Sequence, residues 1–275
     1  MNPHAPQSVQ PLEMVRSIFK HRFLILDLVK REVIGRYKGS IMGMLWSFLS
    51  PVLLLIVYTF MFSVVFRARW PGGSDSKVEF ALILFTGLLV FNLFSDAVNR
   101  APSLILNNAN YVKKIIFPLE ILPVVTLGAA VFHMLVNMIV WLIFFLLFFS
   151  WPNWTALYFI FVLIPLLFIT LGISWLLASL GVYLRDVGQI IGLVTSVLMF
   201  LSPIFYPISA VPERFRSIMH INPLTYFVEE TRNIMIWGKN LNWSQWSYWT
   251  VISIVVAWLG FAWFQKTRKG FADVL

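Results

Sequence analysis

Residues 121–149 read ILPVVTLGAAVFHMLVNMIVWLIFFLLFF, a run that contains no Asp, Glu, Lys or Arg. The hydrocarbon core of a bilayer is roughly 30 Å thick, and a helix needs about 20 apolar residues to cross it. A second run of the same kind follows at residues 155–183, after the stretch SWPNW at residues 150–154. The two runs therefore predict a pair of antiparallel transmembrane helices joined by a tight hairpin.

The composition of the whole chain agrees with this prediction. Of its 275 residues, 59% are hydrophobic and 12% are charged, and the mean hydropathy is +0.82. Soluble domains carry roughly 25% charged residues, so this chain has too little polar surface to enclose a water-soluble core. The absence of cysteine excludes disulfides and thiolate chemistry. We assign the net charge of +9 to the cytoplasmic edge of a membrane rather than to a nucleic-acid partner.

Length and hydropathy along the chain predict an all-α membrane protein with six transmembrane helices. Their approximate bounds are residues 41–66, 80–104, 120–149, 155–183, 190–205 and 246–264. Residues 206–242 hold too many charges to span a bilayer and are broken by three prolines, so we expect re-entrant helices in the outer leaflet there. The predicted organisation is a cytoplasmic tail with an interfacial helix at residues 1–40, a transmembrane domain at 41–264 and a cytoplasmic tail at 265–275.

An amphipathic helix is predicted before the first span. Its apolar residues recur at spacings of three or four, at Leu12, Val15, Phe19, Phe23, Leu26, Val29 and Val33. A helix with one apolar stripe and a basic polar face tends to lie in the headgroup region of a membrane. The alternative is a helix that packs on a soluble partner. Both alternatives put it on the cytoplasmic side.

The distribution of basic residues predicts the orientation. With both termini in the cytoplasm, the inner segments hold fourteen of the 21 Lys and Arg residues and the outer segments hold seven. Cytoplasmic segments of membrane proteins carry this excess of positive charge. We therefore expect a multi-pass protein of the bacterial inner membrane with both termini in the cytoplasm.

The sequence offers no pattern typical of a catalytic or metal site. There is no phosphate-binding Gly-x-x-x-x-Gly-Lys-Ser/Thr loop, since the only Gly-Lys pair, Gly238-Lys239, is followed by Asn240. His133 is predicted to be a hydrogen-bonded structural residue rather than a metal ligand. Asp96 and Arg100, four residues apart in the second span, are able to pair. A membrane-embedded lipid-processing enzyme would need a clustered acid/base or metal group, and we predict no catalytic residue, no metal and no cofactor on this chain.

Four short segments are more specific than the composition. They are REVIGRYKGSIMGMLW at residues 31–46, NANYVKKIIFPLEILP at 108–123, RDVGQ at 185–189 and NPLT at 222–225. Together they resemble the permease subunits of type-2 ABC exporters for polysaccharides, the family of O-antigen (Wzm-like), capsule and teichoic-acid exporters. The resemblance extends from about residue 12 to the end of the chain. Tyr111 departs from it, because an aliphatic residue is expected at that position.

The resemblance implies a homodimer of permeases bound to two nucleotide-binding ATPase subunits, which bind ATP and Mg. The substrate it implies is a lipid-linked polysaccharide, here an undecaprenyl-diphosphate-linked chain of O-antigen or capsule type. A type-2 ABC exporter of a drug or simple lipid is the alternative within transport. The residues expected to couple the permease to the ATPase are Asn110, Tyr111, Val112, Lys113, Lys114, Arg185 and Asp186.

Two further sets of residues are expected to meet the substrate. Arg36, Tyr37 and Lys38 lie where a diphosphate headgroup would arrive from the inner leaflet, although ordinary anchoring to anionic lipid explains their charge equally well. Sugars present hydroxyls and apolar ring faces, so aromatic side chains suit the wall of an export path. The candidates on the first two spans are Trp46, Tyr58, Phe62, Phe91 and Phe94.

Overall fold

The computed structural model describes residues 9–65, 70–71, 73, 76–112 and 117–275, and every regular element in these ranges is helical. The predicted all-α class is therefore confirmed. Five helical segments are long and apolar enough to cross a membrane: Gly43–Phe62, Lys77–Leu104, Ile121–Phe148, Trp154–Tyr183 and Trp243–Val274. Each lies within a few residues of one of the six predicted spans, with two exceptions. Gly43–Phe62 ends before residue 66, and Trp243–Val274 continues past residue 264.

The helices in chain order are α1 (Pro11–Lys20), α2 (Arg22–Tyr37), α3 (Trp46–Thr59), α4 (Lys77–Leu104), α5 (Ala109–Val112), α6 (Ile121–Phe148), α7 (Phe159–Tyr183), α8 (Val187–Leu201), α9 (Glu213–Ile221), α10 (Pro223–Met235), α11 (Trp243–Thr267) and α12 (Phe271–Val274). A 3₁₀ turn, Gly43–Leu45, leads into α3, and a π-helical stretch, Phe60–Val65, extends it. Phe66, the last residue of the predicted first span, lies outside the described residues.

Helix α8 is shorter than the predicted fifth span. It has 15 residues, which rise about 22 Å at 1.5 Å per residue, less than a hydrocarbon core of roughly 30 Å. The prediction of a helix over 190–205 was wrong at its end, because the chain leaves the helix at Ser202. Residues 202–205 are all buried in the protein. Irregular backbone is tolerated at membrane depth only where protein or water covers it.

Helix α4 lies at the centre of the bundle and α3 at its edge. Of the residues in the apolar stretch of α4, 72% are buried inside the chain, compared with 11% of those in the apolar stretch of Gly43–Phe62. Helix α7 packs on both α4 and α11. A Cβ added to Gly260 on α11 would lie 2.0 Å from the carbonyl oxygen of Gly172 on α7. Small residues of this kind let membrane helices approach at backbone distance.

The N-terminal region is two helices rather than the single one predicted. The helix breaks at His21, between α1 and α2. Most of the predicted stripe is exposed, including Leu12, Phe19 and Phe23. A different face carries the packing, because Ile25 and Leu28 of α2 contact α6. The region thus has one apolar face for the protein and a second, exposed one, which a lipid headgroup layer would cover.

A helical hairpin of α9 and α10 fills much of residues 206–242. Pro212 precedes α9 and Pro223 begins α10, so the prolines break the region where the sequence predicted. The beginning of α10 is held near the end of α8, since the side-chain amide of Asn222 donates to the Ser202 hydroxyl oxygen at 2.9 Å. Its end lies near the start of α7, where the Thr155 hydroxyl donates to the carbonyl of Ile234 at 2.7 Å.

A buried arginine fixes this hairpin to the bundle. Arg232 of α10 is 1% exposed and its guanidinium stacks on the Trp70 ring, 4.2 Å from the centroid. It donates to the carbonyl oxygens of Ile83 at 3.2 Å and Ile204 at 2.7 Å, and also to that of Pro203. Three separate segments therefore converge on one side chain.

The C-terminal segment, expected to be a tail, is folded against the bundle. Helix α11 continues to Thr267 and is followed by the short helix α12. Phe271 is fully buried, and Arg268 pairs with the Glu120 carboxylate at 2.7 Å. Residues 265–275 are held because an aromatic ring and a cation both find partners in the bundle.

Candidate functional site

A cavity of about 450 Å³ lies between α2, α3, α4 and α6, near the end of the bundle that is predicted to be cytoplasmic. Cavities of 300–1,000 Å³ are the size that holds a small-molecule ligand. Its lining is unusually polar for a site inside a membrane protein. The polar and charged lining residues are Arg36, Tyr37, Ser47, Ser50, Asn92, Ser95, Asp96, Asn99, Arg100, His133 and Asn137.

Helical spacing explains how these side chains come to one place. On α4, Asn92, Asp96, Asn99 and Arg100 follow each other at intervals of four, three and one, which puts them along one face of the helix. On α6, His133 and Asn137, four residues apart, face them across the cavity. On α3, Pro51 has no N–H for the carbonyl of the residue four positions earlier, so a backbone acceptor is released beside the cavity.

Two ion pairs join α2 to α4 at the mouth of the cavity. Arg36 donates through Nη1 to both carboxylate oxygens of Asp96, at 3.0 and 3.3 Å. Arg100 pairs with Glu32. Asp96 and Arg100 are thus each engaged with the interface helix α2, where the sequence suggested a pair within α4. Burial raises the pKa of Glu32 above its usual value, and the Arg100 cation opposes that rise.

The other two predicted headgroup residues differ in position. The Tyr37 hydroxyl lies 3.3 Å from Nδ1 of His133, so it joins α2 to α6. This hydrogen bond gives His133 a structural role, as the sequence indicated. Lys38 follows the end of α2, is exposed, and is not among the residues that line the cavity.

The predicted coupling residues lie at the same end of the bundle. Asn110, Tyr111 and Val112 belong to the short helix α5, and Tyr111 accepts a hydrogen bond from Arg31 at 2.8 Å. Its ring stacks on Phe117, 4.2 Å between centroids. Lys113 and Lys114 lie outside the described residues, and their role stays a prediction.

Arg185 and Asp186 are exposed in the turn between α7 and α8. This turn reaches the end of α4 because Gly181 packs on Pro102, where an added Cβ would lie 2.0 Å from the Pro102 carbonyl oxygen. The same end of α4 leads into α5. The two predicted coupling segments are therefore neighbours of one helix end.

The five predicted channel-lining aromatics fall into three groups. Trp46 is 40% exposed and lines the cavity. Tyr58 and Phe62 pack on Phe205, with ring centroids 5.4 and 4.7 Å apart, at the partly exposed edge of α3. Phe91 and Phe94 are each 5% exposed and belong to the hydrophobic core. The latter two have no open surface in this chain, because their side of α4 faces the neighbouring helices.

Sequence reasoning did not identify Glu32 or Asn137 as site residues. The signal for Asn137 was present, because it follows His133 by four residues in an otherwise apolar span. Polar residues at membrane depth face protein, water or a ligand. Glu32 carried no such signal, since a carboxylate on an amphipathic helix is ordinary on its solvated face.

Comparison with known proteins supports one family. A family model described as ABC-2 type transporter matches residues 24–236. An O-antigen export system permease protein of Myxococcus xanthus is 28% identical over 264 residues, which cover 95% of this chain and 99% of the relative. One of Klebsiella pneumoniae is 27% identical over 92% of this chain and 95% of its own.

A more distant relative is the polysialic acid transport protein KpsM of Escherichia coli, 25% identical over 93% of this chain and 98% of its own length. All three alignments run through the cavity-lining helices and through the hairpin of α9 and α10. The family match covers more than three quarters of the chain and includes α4, α6 and α7. The protein is a multi-pass membrane protein that belongs to the ABC-2 type transporter family.

Proposed function

We propose that this chain is the membrane-spanning subunit of an ATP-driven exporter that moves an undecaprenyl-diphosphate-linked polysaccharide, of O-antigen or capsule type, outward across the bacterial inner membrane. The observation that carries the proposal is the alignment, over nearly the whole of both chains, with a protein named for O-antigen export. A relative named for polysialic acid transport supports the same substrate class. Because these relatives are named for O-antigen export and for polysialic acid transport, export of a polysaccharide is favoured over export of a drug or simple lipid.

The proposed topology has six crossings with both termini in the cytoplasm. The crossing in addition to the five long helices, fifth in chain order, is α8 followed by the buried residues 202–205. The hairpin of α9 and α10 is proposed to re-enter the outer leaflet. In support, Arg232 contacts Ile83 and approaches Gly87, which lie six and ten residues into α4, about 9–15 Å along its axis.

The proposed assembly is a homodimer of this chain with two nucleotide-binding subunits, which supply ATP hydrolysis and bind Mg. Helix α5 and the turn at Arg185 and Asp186 are proposed to dock on them. The ion pair between Glu120 and Arg268, and the hydrogen bond from Arg268 to the Phe117 carbonyl at 3.0 Å, would tie this docking region to the last span. Closure of an ATPase would then move the helices as rigid bodies.

The substrate headgroup is proposed to arrive at Arg36 and Lys38. Arg36 uses only Nη1 for Asp96, so its Nε and Nη2 have no acceptor within the part of the chain that the structure describes. Phosphate oxygens accept such hydrogen bonds well because guanidinium presents several donors in one plane. The exposed Lys38 would add a second cation at the same place.

Deletion of the gene, with complementation, tests the proposed function. We expect loss of surface glycan with no change in drug sensitivity, and restoration by the wild-type chain. An Arg36→Gln, Lys38→Gln double variant should restore much less, whereas Lys269→Gln, which removes a cation outside the proposed site, should restore fully. The chain should co-purify with the ATPase encoded beside it. Unchanged surface glycan in the deletion strain would show that the proposed function is wrong.

A further inference from the structure

Both arginines in the lining of the cavity are already paired with carboxylates. Arg36 is paired with Asp96, and Arg100 with Glu32, so each cation faces one carboxylate. A diphosphate that entered the cavity would therefore meet the Asp96 carboxylate and two cations that already have partners. Its desolvation would be compensated only in part, because a buried charge needs its own partner. The interior is better matched to a neutral ligand.

The uncommitted polar groups of the cavity include acceptors as well as donors. Nε2 of His133 is buried and has no hydrogen-bond partner among the described residues. The side-chain amides of Asn92 and Asn137 likewise make no hydrogen bond within the described ranges, and Asn137 is 8% exposed. Each amide offers two donors and one acceptor oxygen. A fully ionised phosphate only accepts, whereas a hydroxyl both donates and accepts, so hydroxyls can satisfy all of these groups.

The hydrogen bond of His133 strengthens this point. Its Nδ1 lies 3.3 Å from the Tyr37 hydroxyl, and either atom can carry the shared proton. Nε2 is consequently a donor in one tautomer and an acceptor in the other. A hydroxyl on a ligand suits both tautomers. Trp46, also in the lining, adds an aromatic surface for the apolar face of a sugar ring.

The cations and the uncommitted amides lie at different levels along the helices. Arg100 lies near the end of α4, and Asn92 is eight residues further in, about 12 Å along the axis. On α6, Asn137 is likewise one turn further from the helix start than His133. Arg36, with a side chain that is 47% exposed, lies at the mouth. The cations are thus at one end of the cavity, the buried Asn137 is on its floor, and the exposed Asn92 is on its open side.

We propose that the floor of this cavity is a saccharide subsite, which takes the neutral sugar unit next to the diphosphate while the diphosphate stays at the rim with Arg36 and Lys38. The volume of about 450 Å³ admits the end of a glycan rather than a folded length of it. The ligand is held by Asn137 and His133 on the floor and by Asn92 on the open side. This inference rests on the proposed function, since it names the part of the substrate that the cavity recognises.

Binding measurements on the full chain in lipid nanodiscs test the proposal. The probes are water-soluble methyl glycosides of common hexoses, detected by saturation-transfer NMR, and inorganic pyrophosphate, measured by calorimetry. Asn137→Leu and, on a different helix, Asn92→Leu should each weaken glycoside binding about tenfold, because a hydroxyl loses its partner. Both should leave pyrophosphate binding unchanged. Lys38→Gln should weaken pyrophosphate binding only. Asn240→Leu, exposed on the other side of the molecule, is the matched control and should alter neither.

Three results would overturn the inference. They are no glycoside binding to the wild-type chain, competition of pyrophosphate with the glycoside for one site, and equal loss of both ligands in the Asn137→Leu variant. Failure of the proposed function is read separately, from surface glycan in the deletion strain. If that glycan is lost and glycosides still do not bind, the exporter function stands and the saccharide subsite is wrong.

Discussion

Replacing Arg232 by methionine should release the hairpin of α9 and α10 from the bundle. The guanidinium is 1% exposed, donates to three backbone carbonyls and pairs with Glu229 at 3.1 Å. Methionine fills much of the same volume but offers no donor. It would leave the carbonyl oxygens of Pro203 and Ile204 and the partly buried Glu229 carboxylate without this donor, whereas the Ile83 carbonyl still accepts from the Thr86 hydroxyl at 2.7 Å.

The expected cost follows from these contacts. Removing one partner of a buried pair typically costs roughly 3–5 kcal/mol, and each unsatisfied buried acceptor about 1–3 kcal/mol, with the two estimates overlapping. At 2–4 °C per kcal/mol, the apparent melting temperature of a chain of this size should fall by roughly 6–20 °C. The melting temperature of the Arg232→Lys variant should fall less, because a single ammonium keeps the charge but cannot reach all three carbonyls.

Thermal unfolding of the full chain in lipid nanodiscs, followed by tryptophan fluorescence, measures this effect. Arg214→Met on the neighbouring helix α9 is the matched control, because Arg214 is exposed and, among the residues that the structure describes, its contact is with the ring of Phe215. Hydrogen exchange should quicken in α10 and at residues 202–205 in the Arg232 variant alone. The reasoning is refuted if Arg232→Met melts within about 2 °C of the Arg214 control, the shift expected from less than 1 kcal/mol.

Three further predictions concern other parts of the bundle. Gly260→Val should abolish folding or expression, since its Cβ would lie 2.0 Å from a carbonyl oxygen of α7, whereas Gly192→Val, with nothing within 4 Å, should express normally. Because burial raises the pKa of Glu32, the folded chain holds that proton more tightly than the unfolded chain. The melting temperature of the wild type relative to Glu32→Gln should therefore fall as the pH rises above about 4.3, and a rise would contradict this. Arg268→Met should lower the melting temperature by the equivalent of about 1.5–3 kcal/mol, and an equal loss in exposed Lys269→Met would argue against the ion pair.

Much of the fold follows from the sequence because membrane crossing is a local property. A run such as residues 121–149 needs only its own length and hydropathy to be recognised, and α6 occupies nearly the same residues. The short α8 was harder to predict. Pro203 is a local signal for the end of a helix. The non-helical backbone of residues 202–205 is nevertheless buried because Arg232, which is distant in sequence, donates to the carbonyls of two of them.

The candidate site was predicted only in part, for the same reason. Arg36 and Tyr37 stood out by charge and by motif, and both line the cavity. Phe91 and Phe94 could not be told from exposed aromatics on α4, because helix periodicity does not say which face meets protein. Asn137 is isolated in the sequence and gains meaning only when α4 is packed against α6.

The sequence by itself determined the all-helical membrane class, the positions of the long apolar helices and the family resemblance, since each depends on composition or on short contiguous motifs. Tertiary structure alone decided which charges are neutralised. Arg36 and Asp96 are 60 residues apart and Glu32 and Arg100 are 68 apart, so their pairing depends on how α2 lies across α4. That packing gives each of the two cations a carboxylate partner and leaves amides and an imidazole without hydrogen-bond partners among the described residues.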